Sequence, residues 1–271
     1  MFDLLYIDWH FDPVAFSIFG LEVRYYGLMW ALTIFVGTKI FDYFCRHEGL
    51  DQRVSESIFI YGTFATIIGS RVGHCLFYEP EYYLSNPLEI ITGIRDGGMA
   101  SHGAAIGLLI GLWLFSRKNR LPFVWSLDRI MVVVGLGGAL VRFGNLFNSE
   151  IFGCVTDLPW GFRFHDSALW VREISPLPVH PTQLYEAIFY LITFVVLIVM
   201  YAKFDMARRR PGVMFGVAMQ GVFLTRFFVE FIKLRQVDFE HGMSLDMGQW
   251  LSIPFVVLGL VMIFRGLKKS V

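Results

Sequence analysis

The sequence predicts an all-α integral membrane protein, a bundle of about seven transmembrane helices with its amino terminus outside and its carboxyl terminus cytoplasmic. Three observations predict it. Hydrophobic residues make up 55% of the 271 and charged ones only 17%, and the mean hydropathy is +0.56. That is more apolar surface than one soluble core of this length can bury. Apolar runs of about 18 residues or more, the length that crosses hydrocarbon as a helix, recur along the chain. The cations that punctuate those runs fall unevenly on alternate loops.

The first 20 residues carry Asp3, Asp8 and Asp12 and no Lys or Arg, the reverse of a secretory leader's basic start, so no cleaved leader is expected. Apolar periodicity between charged or Pro/Gly breaks then predicts helices over 27–44, 57–78, 98–116, 128–148, 181–202, 211–231 and 249–265. One set of loops and the tail holds twelve cations: Arg46, Arg53, Arg117, Lys118, Arg120, Lys203, Arg208, Arg209, Arg210, Arg265, Lys268 and Lys269. The other side, with longer segments, holds six: Arg24, Arg95, Arg163, Arg172, Lys233 and Arg235. The cation-rich side is cytoplasmic by the positive-inside rule. Residues 1–271 thus read as a single transmembrane domain with 149–180, rich in Trp and Pro, as an external loop or small periplasmic subdomain. No internal repeat is visible, which weakens an inverted-repeat transporter. The formal net charge of zero gives no reason to expect nucleic acid. Cys45, Cys75 and Cys154 are an odd count without a CxxC pair, so neither a metal site nor a disulfide framework is expected, only inert thiols.

Five cations fall inside the predicted spans: Lys39, Arg71, Arg129, Arg142 and Arg226. Lys39 and Arg129 lie near cytoplasmic helix ends, where long side chains snorkel to water. Arg71, Arg142 and Arg226 lie in outer halves of their helices, where each costs roughly 2.5–3.5 kcal/mol to insert, so three at one depth imply a polar cavity with anionic company. Glu230, four residues after Arg226, shares its helix face and is placed to pair with it. Asn145 and Glu150 follow Arg142 by three and eight. His102 opens the third predicted helix, and Tyr25 and Tyr26 the first, at the same level. An internal salt-bridge network is one reading. Spare guanidinium charge for an anionic lipid headgroup is the other, since three arginines face only two nearby carboxylates, Glu150 and Glu230.

The segment Arg142-Phe143-Gly144-Asn145-Leu146-Phe147-Asn148-Ser149-Glu150-Ile151-Phe152-Gly153 resembles the signature of the prolipoprotein diacylglyceryl transferases. The resemblance continues in order through Phe11-Asp12-Pro13-Val14, Tyr25-Tyr26-Gly27-Leu28-Met29, Gly97-Gly98-Met99 with Ser101-His102-Gly103, His180-Pro181-Thr182-Gln183-Leu184-Tyr185-Glu186, Arg226 with Glu230, and Met247-Gly248-Gln249 with Ser252-Ile253-Pro254. It implies a multi-pass enzyme of the bacterial plasma (inner) membrane, with its active site toward the periplasmic leaflet. Such an enzyme moves the diacylglyceryl group of phosphatidylglycerol onto the lipobox cysteine of a preprolipoprotein signal peptide and releases glycerol phosphate, without cofactor or metal. It also implies seven spans, Arg142 as the phosphatidylglycerol-binding arginine, and Tyr26, His102, Asn145, Glu150, Gly153, Arg226 and Glu230 as functional positions. Val141, Ala104, His74 and Val222 depart from the family pattern.

Thioether formation needs a thiolate, and a thiol of pKa about 8.5 is mostly protonated at neutral pH. Histidine alone titrates near that range unperturbed, which makes His102 the expected base, with capping of the third helix as the alternative. Arg142 is expected to hold the donor headgroup, and Arg226, oriented by Glu230, to stabilise the leaving phosphate. Asn145 and Glu150 would position Arg142 or the glycerol hydroxyls, and Arg71 either binds lipid or balances Glu150. His180 and Glu186 flank the start of the fifth predicted helix, where capping and substrate contact are equal readings. A transporter would carry polar residues at many depths. An intramembrane protease would show a GxSG serine or paired intramembrane aspartates, and the sequence has neither.

Overall fold

The computed structural model describes residues 6–77, 79–93, 100–234 and 244–268, without the side chains of Phe77, Ser101 and His102. The Gly97-Gly98-Met99 motif therefore lies outside the described residues. In chain order the elements are β1 (Ile7–Trp9), β2 (Val14–Ile18), β3 (Leu21–Arg24), α1 (Tyr25–His47), α2 (Gln52–Phe77), α3 (Pro80–Ser85), α4 (Glu89–Thr92), α5 (Ser101–Asn119), α6 (Phe123–Phe147), β4 (Phe162–Phe164), α7 (Ala168–Glu173), α8 (Thr182–Phe204), α9 (Met206–Arg209), α10 (Val213–Val229) and α11 (Met247–Lys268). The chain is mostly helical, and five helices among the described residues, α1, α6, α8, α10 with its following turn, and α11, are long and apolar enough to cross a membrane. The chain divides into two compact units, residues 1–37 with 128–271, and residues 38–127.

Two short ribbons add strand to the helices expected. β2 and β3 pair antiparallel around Phe19 and Gly20, both with positive φ, 51° and 79°, the backbone of a tight hairpin turn. β1 pairs parallel with β4. Hydropathy reading misses such strands because they are three to five residues long and lie between spans.

In the first unit, Leu146, Phe152, Phe162, Phe164, Trp170 and Val179 form a small core within 146–179, so this loop carries its own apolar centre. Ser167 caps α7, accepting from the Trp170 amide at 3.4 Å. Phe11 stacks on Phe147 with ring centroids 4.7 Å apart, which ties the amino-terminal strand to the end of α6. At the other end of α6, fully buried Asp128 accepts from the amides of Gly212 (2.7 Å) and Phe215 (2.8 Å). These are orphan donors at the start of α10. Its neighbour Arg129 does not snorkel to water as expected: its side chain is only 1% exposed, with the guanidinium 5.9 Å above the Tyr201 ring. An aromatic face offers that cation an internal partner.

In the second unit, α2 and α5 pack through Gly69, Gly73, Gly103 and Gly107. A Cβ on Gly73 would stand 2.7 Å from the Gly103 Cα, and one on Gly107 would collide with the Ala65 carbonyl. Small residues let helix backbones meet in this way where lipid removes the hydrophobic drive to associate.

Candidate active site

The site in the first unit is built where α6 ends and α8 begins. The Arg142 Nη2 donates to Glu186 Oε1 at 3.1 Å, and Nη1 donates to Asn145 Oδ1 at 3.2 Å. Nε lies 2.9 Å from Glu186 Oε2 as an ion pair without hydrogen-bond alignment. Asn145 Nδ2 donates to Glu150 Oε1 at 2.8 Å, and Asn148 Nδ2 donates to the same oxygen at 3.1 Å. The segment from 142 to 150 thus forms one relay, Arg142 to Asn145 to Glu150.

Backbone strain presents Glu150. Its neighbours Ser149 and Ile151 have φ of 53° and 60°, a region that a β-branched residue rarely enters. Two side chains of α8 hold the turn: Gln183 Nε2 donates to the Glu150 carbonyl at 2.6 Å, and Thr182 Oγ1 to the Ile151 carbonyl at 2.8 Å. Strain of this kind persists only where surrounding bonds over-determine it.

Beyond Glu186 the charges continue. Lys233 Nζ is 3.9 Å from Glu186 Oε2 and 3.7 Å from Glu230 Oε2. The expected pairing of Glu230 with Arg226 is replaced by this one. α10 ends at Val229 and Glu230–Ile232 tightens into a 3-10 turn, which aligns residues three apart and sets Lys233 beside Glu230. Arg226 is half-buried and, among the described residues, makes no hydrogen bond or ion pair. Burial lowers the Lys233 ammonium below the usual lysine value, while Glu186 and Glu230 pull it back up. Tyr190, one turn after Glu186, donates to Glu186 Oε1 at 3.4 Å.

The remaining expected residues fall as follows. Tyr26, at the start of α1, packs on Gly144, where a Cβ would stand 2.7 Å from its ring. Gly153 is wedged against the Ile232 carbonyl, His180 and Thr182, so a side chain has no room. Its amide donates to the His180 carbonyl at 2.8 Å. The His180 ring bonds the Tyr185 hydroxyl at 3.2 Å, and burial lowers its pKa below the ordinary histidine value. Arg71 belongs to the second unit and is committed there. It donates to the Glu89 and Ile90 carbonyls at 2.8 and 2.9 Å and lies 5.0 Å over Tyr83, which anchors the 79–92 segment. His102 opens α5, and its side chain lies outside the described residues.

The family described as prolipoprotein diacylglyceryl transferase matches residues 13–265. The chain belongs to the prolipoprotein diacylglyceryl transferase family. Relatives named phosphatidylglycerol–prolipoprotein diacylglyceryl transferase are 43% identical in Bacteroides fragilis, over 99% of this chain and 98% of the relative. The figures are 46% in Porphyromonas gingivalis, over 98% and 96%, and 41% in Chloroherpeton thalassium, over 98% and 96%. In this member of the prolipoprotein diacylglyceryl transferases, the sequence leaves Glu186 between capping and substrate contact and the structure joins it to Arg142, whereas Lys233 and Tyr190 are site residues that sequence reasoning misses. Tyr190 alone carried a local signal, its i+4 spacing from Glu186. The count of three arginines against two carboxylates is corrected too. Arg142, Arg226 and Lys233 now stand beside Glu150, Glu186 and Glu230, so the charges balance and the availability of one cation is decided by geometry.

Proposed function

We propose that the chain transfers the diacylglyceryl group of phosphatidylglycerol to the lipobox cysteine of preprolipoproteins, the first step of lipoprotein maturation. The cysteine sulfur attacks the glyceryl carbon that bears the phosphate ester. A C–S bond forms, the C–O bond breaks, glycerol phosphate leaves, and the thiol proton passes to a base. Membership of the family and the names of its relatives support the reaction. The observation that carries the assignment of roles is the difference between the two site arginines. Arg142 is already forked onto Glu186 and Asn145, whereas Arg226 makes no hydrogen bond or ion pair among the described residues, and its guanidinium is suited to two-point binding of a phosphate. Arg226 therefore takes the headgroup phosphate and stabilises the charge that grows on the leaving oxygen. Arg142, with Asn145 and Glu150, lines the pocket, and its remaining donors face the glycerol end. Tyr26 and Gly153 shape the walls, and His102 is the base.

The enzyme sits in the bacterial inner membrane with seven crossings, amino terminus outside, carboxyl tail cytoplasmic, and residues 149–180 as an external subdomain. α2 and α5 complete the count of spans. They expose Ile60, Phe64 and Ile68, and Ile106, Ile110 and Trp113, faces that bilayer lipid can cover.

Purified protein incubated with phosphatidylglycerol and a lipobox peptide should yield a lipidated cysteine and glycerol phosphate, and absence of both ends the proposal. Arg226→Ala should lower kcat by about 10²–10³-fold, the usual loss for a donor aimed at developing charge. Arg226→Lys should recover little, because a point charge lacks the fork. In the same assay His102→Gln should remove the rise in rate with pH, and a normal profile excludes it as the base.

A further inference from the structure

We infer that Lys233 and Glu186 are positioning residues of this transferase, a buried charge bridge that fixes the Arg142 guanidinium at one end and the Glu230 carboxylate at the other. The inference rests on the transfer reaction proposed above. Cation and anion alternate along one line, Arg142, Glu186, Lys233, Glu230, through contacts of 2.9, 3.9 and 3.7 Å. Glu186 is fully buried and Lys233 is 8% exposed. Removing one member of such a chain leaves a neighbouring charge without compensation in a medium that solvates it poorly.

Three further observations make the bridge a built feature. The Lys233 main chain cannot swing: it bridges Gly153, the Cys154 amide donates to the Ile232 carbonyl at 2.8 Å, and the Lys233 amide donates to the Glu230 carbonyl at 3.2 Å. Glu186 Oε2 and Glu230 Oε2 are both buried without a hydrogen-bond partner, so charge alone holds them toward Lys233. Gly248 at the start of α11 leaves room for Glu230, since a Cβ there would stand 2.5 Å from the carboxyl carbon. The charged groups around Lys233 are then Arg142 of α6, Glu186 of α8, Arg226 of α10, and Glu230 of its own turn. Two anions and two cations thus surround Lys233, and the ammonium stands between the two carboxylates.

The bridge makes a prediction about kcat and KM that a merely structural lysine does not. Without the ammonium, the two carboxylates and Arg142 lose the contact that fixes their positions, which costs the chemical step more than donor binding. Lys233→Met should lower kcat by about 10²-fold while leaving the KM for phosphatidylglycerol within about threefold of wild type. Lys233→Arg should keep most of the rate and the wild-type KM. Lys233→Met combined with Glu186→Gln should lose about tenfold less than the two single losses multiplied, the coupling of a shared pair. Lys233→Gln serves if the Met variant does not fold. A loss carried by KM alone, additive losses in the double variant, or an Arg variant as inactive as Met each overturns the inference. Failure of the wild-type enzyme to lipidate the peptide overturns instead the transfer reaction on which it rests.

Discussion

Glu230 shows how much one side chain depends on an absence next to it. Its carboxylate occupies the space that any Cβ at position 248 would take, with all three carboxyl atoms within 2.8 Å of that point. Gly248→Ala must therefore push Glu230 away from Lys233, since a Cβ contact below about 3 Å has to be relieved by movement. The expected outcome is at least a tenfold loss of kcat with a melting temperature within a few degrees of wild type, as for a misplaced catalytic contact in an intact fold. Full activity would mean that the position of Glu230 is not critical. The relay Arg142, Asn145 and Glu150 was legible in the sequence because all three lie within nine consecutive residues: helix geometry brings Arg142 to Asn145, and the turn after α6 returns Glu150 to them. Glu186 and Lys233 were not. Glu186 reads as the first turn of a helix and Lys233 as a loop cation, and only tertiary packing joins them, across 44 residues from Arg142 to Glu186 and 47 from Glu186 to Lys233. Arg226 and Glu230 failed in the opposite sense. Their spacing is right for a pair, but the change to a 3-10 turn at Glu230 gave the carboxylate a nearer partner.

At the scale of elements, apolar runs located all the long helices, with ends displaced by a few residues where flanking polar turns joined the helix, as at Tyr25 and Gln52. The ribbons escaped because β1 and β4 are 155 residues apart in register, Ile7 on Phe162, and three-residue strands carry no periodicity to read. That parallel pair is closed by side chains on the outer surface. The His165 ring bonds Asp8 at 2.9 Å, and Arg163 reaches the same carboxylate at 3.7 Å. The hydrogen bond from His165, aided by the charges of Arg163, His165 and His10, holds the Asp8 carboxyl below the usual carboxylate range. A depressed carboxylate contributes stability that is present above its unfolded pKa, about 3.9, and is lost as pH falls through the lower folded value. Asp8→Asn should therefore lower the melting temperature slightly at pH 7 and by progressively less as pH falls below about 3.9, small because the site is exposed and screened. A destabilisation that is equal across that range would assign the effect to packing instead.

At the scale of the whole molecule, the distribution of charge makes orientation a measurable quantity. By the positive-inside rule, twelve cations on one set of loops against six on the other predict a cytoplasmic carboxyl tail and an external 149–180 segment. Three thiols not joined in disulfides make the natural chain its own probe: Cys45 and Cys75 are buried, and Cys154 is exposed within the external segment. A membrane-impermeant maleimide applied to intact spheroplasts should label wild-type protein at Cys154 alone, and Cys154→Ser should remove the signal. In that background Phe19→Cys, at the fully exposed tip of the β2–β3 hairpin, should label from outside. Arg209→Cys, among the cations that follow α8, should label only after the membrane is opened. The reverse pattern would invert the protein and put the site at the cytoplasmic leaflet. Labelling of Phe19→Cys and Arg209→Cys from the same side would change the parity of crossings between them, and would remove α2 or α5 from the set of spans.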